Sequence, residues 1–176
     1  MMLTFRHLTD TASDDFRLVD TLYESAFPWH EKREAAAKQL ALDNPHYRLL
    51  ACYDGRLFVG MIGAWRFHGY SYIEHLAVND QLRGAGYGKR MLRQFLDANP
   101  LTVLEIDPLT TGIARRRLRF YQQLGFQRNP FTHHHPSYHA GVADHLLLVL
   151  SHPHPLDDAR YQQFHDDLCH VVMAGV

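Results

Sequence analysis

Gln81-Leu82-Arg83-Gly84-Ala85-Gly86-Tyr87-Gly88-Lys89 is the stretch on which the reading of the chain turns. It leaves an apolar run ending at Val78 and enters a segment with Met91, Leu92, Phe95 and Leu96 at helical spacing. Glycines let backbone N–H groups come close to a ligand. A helix start offers unpaired donors and a partial positive charge. Together these features suit a pyrophosphate, with Arg83, Lys89 and Arg90 adding cationic charge. The P-loop spacing is absent, because Arg90 follows Lys89. The dinucleotide spacing G-x-G-x-x-G also fails, because the third glycine comes one residue early.

Upstream, the pattern is that of an antiparallel meander. Residues 3–7 read as a short strand, and Ser13 caps a helix reaching Ala26, which Pro28 breaks. Residues 30–42 read as a second helix, ended by Asn44-Pro45. Strands occupy 47–53, 57–67 and 70–78, with Asp54-Gly55 as the first hairpin turn. Gly60 and Gly63 mark a bulge or a close approach within the second of these. Downstream, helix 87–98, strand 101–106 and helix 113–124 make a crossover that favours parallel strands, and Gly125 closes the last helix. Residues 126–128 and 143–150 read as pairing strands around a polar loop, 129–141, and 156–172 as a final amphipathic helix. The class is mixed α/β: one domain over 1–176, with 151–176 as a C-terminal helical extension.

With 176 residues, 46% of them apolar, the chain can bury one sizeable core. A net charge of −1 gives no general attraction to nucleic acid or to an acidic membrane surface, so any anion binding must be local. Cys52 and Cys169 are far apart among apolar residues and read as buried or semi-buried thiols. No secretory leader is visible, and no stretch approaches the roughly 20 apolar residues that span a bilayer. A cytoplasmic setting is the expectation.

Gln81-Leu82-Arg83-Gly84-Ala85-Gly86 resembles the Q/R-x-x-G-x-G/A signature of the GNAT superfamily of acyl-CoA-dependent N-acyltransferases. His75-Leu76-Ala77-Val78 resembles the family's preceding strand, and Tyr121-Gln122-Gln123-Leu124-Gly125-Phe126 its later Tyr-x-x-x-Gly-Phe signature. Residues 73–78, 82–86, 104–108 and 114–117 resemble one bacterial subgroup, which fixes no substrate. The resemblance implies a GNAT-like mixed central sheet, with an antiparallel N-terminal meander and a parallel crossover, flanked by helices. It implies acetyl-CoA as co-substrate, held by Leu76, Ala77 and Val78 and by the amides of Arg83, Gly84, Ala85, Gly86, Tyr87, Gly88 and Lys89. Many members carry a cofactor-contacting Asn seven residues before the tyrosine; here that position is Ala114.

Acetyl transfer needs a neutral amine, a polarised thioester and a proton for the leaving thiolate. Tyr121 is the family-matched acid. Glu74 is the expected base, on a strand face shared with Tyr72, Leu76 and Val78; the alternative for it is an ion pair with an arginine such as Arg66. His75, expected on the opposite face, is second choice and Glu105 third, and family members often deprotonate through ordered water. Other functions remain open: a catalytically silent acyl-CoA sensor with the same fold, or a metal-binding protein using His133, His134, His135 and His139. Adjacent histidines do not share one face, so no metal is expected. The loop is expected to border the amine acceptor. Phe164, Leu168, Val171 and Val172 of the last helix are expected to pack on the domain or on a second subunit in a homodimer.

Overall fold

The computed structural model describes residues 2–176; Met1 lies outside the described residues. The strands are β1 (Thr4–Leu8), β2 (Tyr47–Asp54), β3 (Leu57–Phe67), β4 (Tyr70–Val78), β5 (Thr102–Ile106), β6 (Gln127–Arg128), β7 (His133–His135) and β8 (His145–His152). The helices are α1 (Asp14–Ala26), α2 (Ala35–Asp43), α3 (Tyr87–Ala98), α4 (Gly112–Gln123) and α5 (Asp158–Asp167), the last running into a π-turn, Leu168–Val172. Sheet order is β1-β2-β3-β4-β5-β8-β6, with β7 also on β8. Only β4 and β5 pair in parallel; the other ladders are antiparallel. This is the mixed sheet, meander and crossover that the sequence implies.

Strand alternation splits the core between the two sheet faces. Leu49, Ala51, Met61, Trp65 and Tyr72 meet α1, α2 and α5 through Val19, Leu22, Ala41, Phe164 and Leu168. Leu50, Cys52, Ile62, Ile73 and Leu104 meet α3 and α4 through Met91, Leu92, Phe95 and Leu118. The C-terminal helix thus packs on its own chain. Among the described residues no helix is long and apolar enough to cross a membrane.

The second helix starts later than its alanine-rich sequence predicts. Trp29–Glu31 form one 3₁₀ turn, and α2 begins only at Ala35. Between them the Arg33 amide donates to the Tyr23 hydroxyl at 2.7 Å. Tertiary hydrogen bonds there override helix propensity. Residues 133–135, expected within a loop, are strand β7, with His133 and His135 buried and His134 exposed.

Strands β3 and β4 carry two irregularities. Gly63 faces His75 and Ala64 faces Ile73, so Glu74 is an extra residue, a bulge. Gly60 sits where a Cβ would lie 2.4 Å from the Ala77 carbonyl oxygen and 2.9 Å from the Met91 sulfur. Gly60→Val should therefore cost about 1–3 kcal/mol or more, read as a lowered urea midpoint.

Candidate active site

β4 and β5 pair only at Ser71–Thr102 and Tyr72–Val103. Beyond Tyr72 they part, and a cleft of about 880 Å³ opens between residues 73–78 of one strand and 104–107 of the other. One edge of Leu76, Ala77 and Val78 pairs with β3, and the other is left free for an extended ligand.

At the end of β4 the chain makes a 3₁₀ turn, Asp80–Leu82, held by Asn79, whose side chain accepts from the Gln81 amide and donates to the Phe58 carbonyl. Gly84 and Gly86 then take φ of +84° and +82°, a backbone region that suits glycine. Gly86 is the N-cap of α3 and brings no side-chain cap. Among the described residues, the amides of Gly86, Tyr87, Gly88 and Lys89 have no backbone acceptor. Tyr87 turns its hydroxyl to Asp54 at 2.7 Å, so its backbone, not its ring, serves the turn. Arg83 lines the cleft.

α4 faces the cleft with Ile113, Arg117 and Tyr121, one helical turn apart. Among the described residues no group hydrogen-bonds the Tyr121 hydroxyl, and burial pushes its phenol up to about 12. Ala114 points inward and is fully buried, so the position at which many members carry Asn does not face the cleft here. Arg117, 3.7 Å from Asp107, is the cleft-facing cation of that helix.

The bulge changes the expected facing of β4. Glu74 and His75 both point to the α1 side, while Leu76 joins the opposite core. The His75 ring packs on Tyr23 and Phe27, with Nδ1 3.9 Å from Glu74 Oε1. Uninterrupted alternation would set these two side chains on opposite faces; the extra residue puts them on one.

Glu74 is not the unpaired carboxylate that a base requires. Its side chain has no exposure, and its ion-pair partner is Arg33, not Arg66, at 2.8 Å. The Trp65 indole donates to Oε1 at 2.9 Å and the Tyr138 hydroxyl to Oε2 at 2.6 Å. Burial alone would raise this carboxyl; Arg33, His75 and the two hydrogen bonds outweigh it and hold it at about 2. Arg33 donates onward to the Val172 carbonyl at 2.8 Å, tying in the C-terminus.

Glu105 is likewise engaged. It accepts from the Tyr72 hydroxyl and, at 2.5 Å, from His133 Nε2. Because an ionised carboxylate only accepts, Nε2 carries the proton there, and Nδ1 hydrogen-bonds with the Tyr161 hydroxyl at 2.8 Å. His75 differs. Its Nε2–H donates to the Glu31 carbonyl at 2.8 Å, which leaves Nδ1 as an acceptor. Burial lowers its pKa, so the ring is neutral at pH 7.

The histidine-rich segment contributes to the cleft wall. His135 and Tyr138 line it, and the His139 ring stacks on Trp29 at 3.8 Å. Among the described residues, no set of three or more His, Cys, Asp and Glu side chains is arranged to hold a metal ion. Arg33, Trp65 and Tyr138 were not singled out from the sequence. Arg33 and Tyr138 lie far from Glu74 along the chain; Trp65, nine residues away, reaches it across the β3–β4 hairpin.

Residues 8–126 match the family model for the acetyltransferase (GNAT) family. The chain belongs to that family, and it is an acetyltransferase. A GNAT-family structure from Bacteroides thetaiotaomicron is 28% identical, with a TM-score of 0.90 over 98% of this chain and 99% of that one. The ribosomal-protein-S18-alanine N-acetyltransferase of Escherichia coli shares the fold at 16% identity and a TM-score of 0.58, over 89% and 96% of the two chains. A GNAT acetyltransferase from Elizabethkingia anophelis, with acetyl-CoA bound, shares it at 13% and 0.55, over 85% and 97%. No curated protein matches the sequence.

The Glu74–Arg33 pair gives two checks on this acetyltransferase. Arg33→Met leaves a buried carboxylate without its cation and should cost about 3–5 kcal/mol in denaturant unfolding at pH 7. The folded pKa of Glu74 is depressed from 4.5 to about 2. Its contribution is therefore present above pH 4.5 and lost as pH falls toward 2. The wild-type protein should lose stability across that window, and Arg33→Met should lose less there.

Proposed function

We propose that the β4–β5 cleft binds acetyl-CoA along the free edge of Leu76, Ala77 and Val78, with the pyrophosphate in the turn from Arg83 to Lys89, on the amides of Gly86, Tyr87, Gly88 and Lys89; those of Arg83 and Ala85 already bond the carbonyls of Asp80 and Leu82. The amine acceptor enters at the other end, between the Trp29–Glu31 turn and the 129–141 loop. The observation that carries this reading is the cleft itself: it runs from Val78 and Arg83, next in the chain to an uncapped, glycine-built helix start, to a tyrosine whose hydroxyl has no partner among the described residues. The whole chain acts as one domain, in the cytoplasm.

In this reading His75 Nδ1 takes a proton from the amine. Glu74, 3.9 Å away, is the fixed negative charge that stabilises the imidazolium. The amine nitrogen bonds to the thioester carbonyl carbon, the C–S bond breaks, and the Tyr121 hydroxyl protonates the departing sulfur. Burial suits both groups, because it keeps Tyr121 protonated and His75 neutral before the reaction. Glu74 thus acts in the reaction through His75 and not as the primary proton acceptor.

Tyr121→Phe should leave acetyl-CoA affinity unchanged and lower turnover about 100- to 10,000-fold; free-thiol detection with a panel of amines reads this. Unaltered turnover, with chemistry rate-limiting, removes Tyr121 from the mechanism. Gly86→Val forces a branched side chain into a left-handed backbone. It should weaken acetyl-CoA binding in calorimetry while circular dichroism stays that of a folded chain. Unchanged affinity would take the pyrophosphate away from this turn.

A further inference from the structure

The acceptor end of the cleft carries one carboxylate whose state differs from the rest. Glu31 ends the Trp29–Glu31 turn, and its side chain faces the cleft at about one-third exposure. Among the described residues no donor hydrogen-bonds it; the nearest cation-forming group is His30 Nε2 at 3.8 Å. Burial, and next the charge of Asp107 on the neighbouring wall, raise its pKa.

The chain around Glu31 leaves this charge without a hydrogen-bonded cation; His30, Arg117 and His135 act on it only at longer range. The next two residues are cations, and both are turned away. Lys32 Nζ lies 2.9 Å from the Glu24 carboxylate, and Arg33 is spent on Glu74. The turn itself is clamped from two sides. His75 donates to the Glu31 carbonyl at 2.8 Å, and His139 stacks on Trp29 with Nε2 2.8 Å from its carbonyl. The backbone that carries Glu31 is therefore fixed. A half-buried, unpaired carboxylate costs stability unless a ligand completes it.

We propose that Glu31 is the specificity-determining residue for the acceptor, and that it selects a small cationic amine with no carboxylate beside the amino group. The inference rests on the acetyl-transfer reading of the cleft. The ammonium of the incoming acceptor is drawn to Glu31 before it gives up its proton. An acceptor bearing its own carboxylate meets the charge of Glu31 and is turned away, while Asp107 is offset by Arg117 at 3.7 Å. The wall around them mixes apolar and aromatic side chains, Phe27, Pro28, Tyr138 and Leu146, with His135, Asp144 and Arg117.

Matched probes test this: phenylalaninamide against phenylalanine, and glycinamide against glycine, each with saturating acetyl-CoA and free-thiol detection. The amide should exceed the free acid by about tenfold or more in kcat/KM, the size of one charge-assisted contact. Glu31→Gln should remove most of that ratio by raising KM for the amide, with acetyl-CoA affinity by calorimetry unchanged. Glu31→Lys should reverse the ratio. Equal rates for acid and amide in the wild type, or an unaltered ratio in Glu31→Gln, would overturn the assignment. So would turnover of neither probe by a protein that still binds acetyl-CoA. Loss of acetyl-CoA binding by the wild type would instead sink the acetyltransferase reading of the cleft.

Discussion

One carboxylate with no exposure ties the molecule together. Glu74 is the bulged residue of β4, and an ionised carboxylate so placed is tolerable only with a full set of donors. Its donors and their ties come from four directions: Arg33 before α2, Trp65 on β3, Tyr138 in the loop before β8 and, through Arg33, the carbonyl of Val172 near the C-terminus. None of these segments is near another in sequence. The need to satisfy one buried charge thus fixes the turn before α2, the histidine-rich loop and the last helix relative to the sheet. The bulge has a second effect at the same point. It sets two consecutive side chains, Glu74 and His75, on one face, where the ladder to β5 has already ended.

The two ends of the cleft are built differently, and that explains what the sequence makes legible. The phosphate end is contiguous. Strand, glycine turn and helix start succeed one another within residues 70–90, so the motif carries its own context and the mixed sheet can be read from it. Gly84 and Gly86 have the positive φ that such a turn demands. The end proposed for the acceptor is assembled from His30 and Glu31, His75 and side chains from 135 to 147, joined only by tertiary contacts. Composition and periodicity cannot pair Arg33 with Glu74, and the alternation rule fails at Glu74 because the glycine that marks the bulge, Gly63, lies opposite on β3 and does not say which residue of β4 is the extra one. The helix read over 30–42 fails for a related reason. Its alanines favour helix, yet Arg33 is claimed by Tyr23 and Glu74, and the helix starts only after it.

The histidine triplet shows how a compositional signal differs from a positional one. Three histidines in a row suggest a polar or metal-binding loop. On a strand, however, neighbours alternate, so His133 and His135 enter the protein while His134 faces out. His133 meets a carboxylate on one side and a tyrosine hydroxyl on the other, which satisfies both ring nitrogens inside the core. The apolar strand β8 beside it, Leu146–Leu150, is the signal that marks β7 as its partner.

Three glutamates of the cleft end in different states for reasons visible in their surroundings. Glu74 and Glu105 are buried, and burial alone would favour their neutral forms. Arg33, the histidines and the tyrosine hydroxyls reverse that, and both carboxyls are held below their ordinary range. Their charge is already compensated, so an arriving cation gains little from them. Glu31 is less buried, has no such donors and shifts the other way. The same side chain is thus structural where its hydrogen bonds are complete and responsive where they are not. Among these glutamates the charge is settled internally except at the turn proposed as the acceptor's entry, and that is why the proposed discrimination among amines falls to the least buried of the three.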